Sequence, residues 1–95
     1  MIQHAVLITF KDDLEPATIE AFLEATREIF ADTPFETVAH GTGLGVVPSG
    51  ADWGYTGLLD SDSIATWHDH HSHLRLRDLT TPLTKHVCHI QIAVP

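Results

Sequence analysis

Residues Ile2 to Phe10 (Ile-Gln-His-Ala-Val-Leu-Ile-Thr-Phe) are strand formers that stay apolar in both phases of their alternation. Ile2, His4, Val6, Ile8 and Phe10 share one face of an extended chain, while Ala5 and Leu7 lie on the other. A strand that is apolar on both faces at its middle belongs inside a sheet and needs cover on each side. That requirement limits what the rest of the chain can build.

Lys11-Asp12-Asp13 ends this strand. Pro16 suits the first turn of a helix, where its missing N–H costs nothing, and Asp12, Asp13 and Glu15 complement the dipole at that end. Ile19, Phe22, Leu23, Ile29 and Phe30 follow at helical spacing, with Glu20, Glu24, Arg27 and Glu28 on the wet side, and Asp32-Thr33-Pro34 stops the helix. Phe35 to His40 reads as a second strand, Thr42 to Gly50 as a flexible glycine-rich connection, and Asp52 to Leu59 as a third strand. The run Gly41-Thr42-Gly43-Leu44-Gly45 lacks the spacing of a phosphate-binding loop and leads into a strand, so no helix N-terminus receives an anion. Asp60 is the expected N-cap of a second helix that carries Ile64 and Trp67 on one face. The histidines after Trp67 end or kink it. A further helical piece with Leu74, Leu79 and Leu83 runs to about Thr84, weakened near its end by Pro82, and Val87 to Val94 is the last strand.

The order β-α-β-β-α-β over one domain, residues 1–95, predicts an α+β fold. Right-handed crossovers give it an antiparallel, ferredoxin-like sheet with both helices on one face. The other face remains apolar and bare. The simplest cover is a second copy, sheet against sheet, which makes a homodimeric α+β barrel the expected assembly.

Charge narrows the partners. Thirteen Asp plus Glu against five Lys plus Arg give a net charge of −8, too acidic to build the basic face that nucleic acid or an anionic membrane surface requires. One cysteine, Cys88, excludes an internal disulfide framework; it sits in an apolar alternation and reads as a small buried hydrophobe. The N-terminus lacks the pattern of a secretory leader, and no apolar run approaches a membrane span of about 20 residues. A soluble cytoplasmic protein is expected.

Four of the eight histidines fall within Trp67-His68-Asp69-His70-His71-Ser72-His73. Imidazole changes charge near neutral pH, so this segment is the natural candidate for proton transfer or metal ligation. The spacing places His68 with His71, and His70 with His73, on shared helical faces, with Asp69 as an added oxygen donor. Four rings on one exposed turn point in different directions, however, and no metal or cofactor is expected. Trp53 and Tyr55 share a strand face with Leu59 and either line a pocket or fill the core. The serines lack a nucleophile elbow, and Cys88 lacks a partner for covalent chemistry.

Three patches resemble the stress-responsive dimeric α/β-barrel (Dabb) family. They are the opening strand Met1 to Asp12 with its early histidine, the stretch from Asp52 through Trp67 to His73, and Pro82-Leu83-Thr84-Lys85-His86-Val87. The tetrad His70-His71-Ser72-His73 stands where the family typically has His-Pro-Ala-His. The resemblance implies a homodimeric barrel with a pocket between sheet and helices, and covers a range from stress proteins to cofactor-free polyketide cyclases of the olivetolic acid cyclase type. By that match His73 is the base and His4 a pocket polar group. Trp67 stands where those cyclases have tyrosine, and its indole N–H donates but cannot cycle a proton. Tyr55 is the only phenol in the chain.

The expected activity is therefore that of a cofactor-independent acid–base enzyme, a cyclase, isomerase or lyase acting on a small apolar, polyketide-like carbonyl compound. His73 would move the proton, His4, His70 or Tyr55 would hold the developing enolate oxygen, and Val6, Phe22, Leu23, Trp67 and Trp53 would form the apolar wall. The alternative is a non-catalytic stress-responsive barrel that binds a small ligand.

Overall fold

The computed structural model describes residues 1–46 and 50–95; the rest of the expected glycine-rich connection lies outside the described residues. The elements are β1 (Ile2–Phe10), α1 (Pro16–Phe30), β2 (Thr37–Thr42), β3 (Trp53–Leu59), α2 (Ser61–Trp67), α3 (His71–Thr80), a 3₁₀ turn (Thr81–Leu83) and β4 (Thr84–Ala93). They form a four-stranded antiparallel sheet in the order β2-β3-β1-β4, the ferredoxin-like arrangement expected from the order of elements.

β1 occupies the interior position that its two-faced pattern demands. It pairs with β3 from Ile2↔Leu59 to Ile8↔Trp53, and with β4 from Ile2↔Ala93 to Phe10↔Thr84. Because side chains alternate, this register puts His4, Val6 and Ile8 on one face with Tyr55 and Leu59 of β3 and Val87, His89 and Gln91 of β4. The helices cover that face. Phe22, Ile29 and Phe30 of α1, Trp67 of α2 and Leu76 of α3 bury themselves against Ile8, Trp53, Tyr55 and Leu59. Phe22 meets Trp53 edge-on, with centroids 4.9 Å apart at 80°. Each fully buried side chain of this size contributes about 1.5–3 kcal/mol.

Local signals act as read at both helix starts. Pro16 opens α1, and the Asp60 carboxylate accepts the Ser63 N–H at 2.7 Å to cap α2. After Trp67 the chain breaks for three residues, and α3 restarts with an unusual cap, the His70 Nδ1 accepting the Ser72 N–H at 3.1 Å. Pro82 falls within the 3₁₀ turn, so the helix stops at Thr80, before the expected Thr84.

Two expectations need correction. The second strand begins at Thr37, because Phe35 turns its ring toward β3 over Gly57, where a Cβ would collide with it. Cys88 is exposed, because β4 is an edge strand and Cys88 lies on the face away from the helices. As the order of elements predicts, β1 has helices on one side alone. The other face of the sheet leaves Leu7 52%, Ile90 55% and Ile92 50% exposed, apolar surface that a single chain does not cover.

The Gly57 contact yields a test of this packing. Gly57→Ala forces the Phe35 ring off the sheet and off Trp67, whose centroid lies 4.8 Å away. The expected cost is about 1–3 kcal/mol of overpacking, read as a lower midpoint in urea with an unchanged slope.

Candidate functional site

The register of the sheet fixes the floor of a cavity of about 450 Å³ between β1, β3 and β4 below and α2 and α3 above. His4, Val6, Ile8 and Tyr55 contribute from the inner strands, and Val87, His89 and Gln91 from β4. Ile64, Trp67 and His68 form one side of the roof, and His73, Leu76, Arg77 and Thr80 the other. The α3 residues recur at helical spacing, so one stripe of that helix faces the void.

His4 sits at the bottom, only 7% exposed on the central strand. Both of its ring nitrogens are engaged. The Gln91 amide nitrogen donates to Nδ1 at 2.7 Å, so Nε2 carries the proton and donates to the Tyr55 hydroxyl oxygen at 3.2 Å. Burial chiefly, then the neighbouring His73 and His89, holds the His4 pKa below the ordinary imidazole value. Burial also pushes the Tyr55 phenol up to about 12, offset in part by the Trp67 indole beside it. Tyr55 therefore remains a phenol at neutral pH, and its hydrogen is free to donate because its oxygen already accepts from His4. The Trp67 Nε1–H, beside the Tyr55 oxygen, is a second buried donor, and among the described residues no acceptor meets it in full hydrogen-bond geometry.

His73 owes its orientation to the break between α2 and α3. There the His68 carbonyl accepts the His73 Nδ1–H at 2.8 Å. A carbonyl only accepts, so the proton is on Nδ1 and the lone pair is on Nε2. The Trp67 and His68 rings flank the His73 ring, at 5.1 and 5.2 Å between centroids. Burial lowers the His73 pKa most, with further lowering from His68 and Arg77; the His68 carbonyl and Asp69 pull the other way.

The other cluster histidines diverge. His71 donates to the Asp32 carboxylate at 2.7 Å, away from the cavity, and holds that carboxyl below its usual range. His70 is occupied as the cap of α3 and does not line the cavity, which removes it as a ligand for an enolate oxygen. Among the described residues, no three His, Cys, Asp or Glu side chains converge on a metal position. Phe22 and Trp53 are packed solid beneath α1, and Leu23 lies against the same core, so none of the three lines this cavity. Their helical and strand spacing marks burial but not which flank of the sheet stays open. His89, Gln91 and Arg77 escaped the sequence reading. Alternation from Val87 puts His89 and Gln91 on one face, but only the pairing with β1 shows which.

No protein-family model matches the chain, and no curated protein matches it. Solved structures do. A dimeric ferredoxin-like protein of unknown function from Thermobifida fusca aligns with a TM-score of 0.87 at 22% identity, covering 98% of this chain and 90% of that one. A Dabb family protein with a ferredoxin-like fold from Mesorhizobium loti aligns with a TM-score of 0.77 at 19% identity, covering 99% and 96%. A hydroxynitrile lyase from Passiflora edulis aligns with a TM-score of 0.79 at 14% identity, covering 99% and 93%. The ferredoxin-like fold inferred from the element order, and its likeness to a Dabb protein, thus hold along the whole chain.

The lowered imidazoles predict a pH signature of stability. His4, His40 and His73 all have folded pKa values below their unfolded value of about 6.5. The unfolded chain thus binds more protons as pH falls through that value, and stability drops until pH passes the lowered folded values. Urea midpoints measured from pH 8 to 5 should be flat above about 7 and decline below about 6.5. His4→Asn should shallow that decline, and a flat profile contradicts the assignment.

Proposed function

We propose that this chain is a small acid–base enzyme that removes the α-proton of an apolar carbonyl compound, with His73 as the base. The observation that carries the reading is the fixed tautomer of His73. Its Nδ1–H is held by the His68 carbonyl, which leaves a lone pair on Nε2 in a ring that lines the cavity. A general base needs a neutral, oriented imidazole, and the lowered pKa keeps the ring neutral at physiological pH.

As Nε2 takes the proton, negative charge develops on the carbonyl oxygen. The Tyr55 hydroxyl and the Trp67 indole N–H are the donors available to it, and His4 polarises the phenol by donating to its oxygen. His4 is thus a positioning residue, and Val6 and Trp67 belong to the apolar wall. Proton abstraction and return in this way needs no cofactor. Returning the proton to another carbon gives an isomerase, attack of the enolate carbon on a second carbonyl a cyclase, and expulsion of a β-substituent a lyase. Acid–base lyase chemistry on this fold is consistent with its likeness to a hydroxynitrile lyase.

The functional unit we propose is a homodimer. The bare apolar face with Leu7, Ile90 and Ile92 is the surface to be covered, and the similar Thermobifida fusca protein is described as dimeric. Leu7→Glu should shift the sedimenting species from dimer to monomer. A wild-type protein that sediments as a monomer at micromolar concentration rejects this assembly.

The catalytic reading is tested by α-proton exchange in D₂O, followed by NMR on a panel of β-diketones and aryl ketones. His73→Ala should slow exchange by about 10²–10⁴-fold with the circular dichroism spectrum unchanged. Tyr55→Phe should slow it less. The wild-type rate should hold as pH falls to 6.5 and drop only lower, where His73 protonates. An exchange rate unaffected by His73→Ala removes His73 from the chemistry.

A further inference from the structure

The cavity wall has the opposite charge character to the chain. Thirteen acidic residues outnumber five Lys and Arg, yet none of the lining residues is Asp or Glu, while four are histidine and one is Arg77. The cations elsewhere are largely paired: Arg27 with Glu24 at 2.6 Å, Arg75 with Glu28 at 3.3 Å and Lys85 with Asp12 at 3.0 Å. Lys11 lies outside the cavity. Among the described residues Arg77 has no carboxylate within ion-pair distance. Its place in the last turn of α3 complements the helix dipole, which explains a cation there. It does not explain why so acidic a chain keeps every carboxylate off the wall beside it.

Position adds the second half of the argument. Arg77 follows His73 by four residues, so the two side chains lie on one face of α3 with Cβ atoms about 5–6 Å apart. A substrate that presents a carbonyl group to the His73 side of the cavity thus reaches the guanidinium a few bonds further along. The planar fork of arginine matches a carboxylate with two parallel hydrogen bonds. Val6, Ile8, Ile64, Leu76 and Val87 also line the wall, which suits a ligand with an apolar body behind a single carboxylate.

We propose that the substrate is an oxo acid, a carbonyl compound that also carries a carboxylate, and that Arg77 binds the carboxylate and so sets specificity. This deepens the acid–base reading and rests on the same cavity being the substrate site. His68 and His89, both on the wall, each offer a ring N–H as a further donor. Thr80 and Thr81 donate to the Arg77 main-chain carbonyl, a bond that any residue at 77 retains, and the exposed side chain makes no part of the core.

The test measures binding, which does not depend on turnover. Probes are 3-oxo-3-phenylpropionate, 4-oxo-4-phenylbutyrate and their methyl esters, titrated calorimetrically into the native protein. At least one acid should bind about tenfold or more tightly than its ester, and added salt should weaken the acid alone. Arg77→Met should bring the acid down to the ester and leave the ester unchanged, while Arg77→Lys keeps part of the preference. His73→Ala should keep the preference whole. Loss of the catalytic reading therefore appears as unchanged proton exchange, and loss of this one as unchanged selectivity. No preference for any acid over its ester in the native protein overturns the proposal. So does a preference that survives Arg77→Met.

Discussion

A polar ring buried on the central strand of a sheet must find partners within its own layer, and His4 finds one on each neighbouring strand. Gln91 reaches it from β4 and Tyr55 from β3. Both contacts depend on the register, since a slip of one residue turns Gln91 to the opposite face and leaves an imidazole nitrogen buried without a partner. An unsatisfied group of that kind costs about 1–3 kcal/mol. The same hydrogen bonds that align three strands also set the proton on Nε2 and point the phenol hydrogen away from His4. Sheet alignment and the chemistry of the cavity floor are one arrangement.

The roof is built on a different rule. An unbroken helix from Ser61 to Thr80 would commit the His68 carbonyl to the N–H four residues on. The break after Trp67 frees it, and the His73 ring takes it instead. Dense histidine usage in this segment looks like a metal cluster in one dimension. In three dimensions it serves separate ends: His70 caps a helix, His71 ties α3 to Asp32 beside α1, and His73 turns to the cavity.

Much of the fold was legible. The double-sided apolar pattern of Ile2–Phe10, the proline at the start of α1 and the Asp60 cap each act through neighbours a few residues away, and each behaves as its chemistry dictates. The site was legible where it borrowed those local rules, as with the face shared by His4 and Val6. It was obscure where pairing between distant strands decides. Phe22 and Trp53 look like a pocket wall because large aromatic side chains serve equally well as a wall or as filling, and the sequence does not say which flank of the sheet the helices leave open. His89 and Gln91 were hidden for the same reason, being on an edge strand more than eighty residues from the β1 residues they face. Phe35 was misjudged because the absence of a side chain at Gly57 determines where its ring goes.

β4 sends its side chains alternately to two places. Val87, His89 and Gln91 enter the cavity wall, whereas Cys88, Ile90 and Ile92 project from the bare face. Each wall residue is thus covalently adjacent to a residue on the outer surface, across a backbone only one strand thick. Substituting Ile90, or attaching a spectroscopic label to Cys88, changes a position one residue from His89. A dye on Cys88 would stand one peptide bond from the cavity wall and watch it from the opposite side of the sheet.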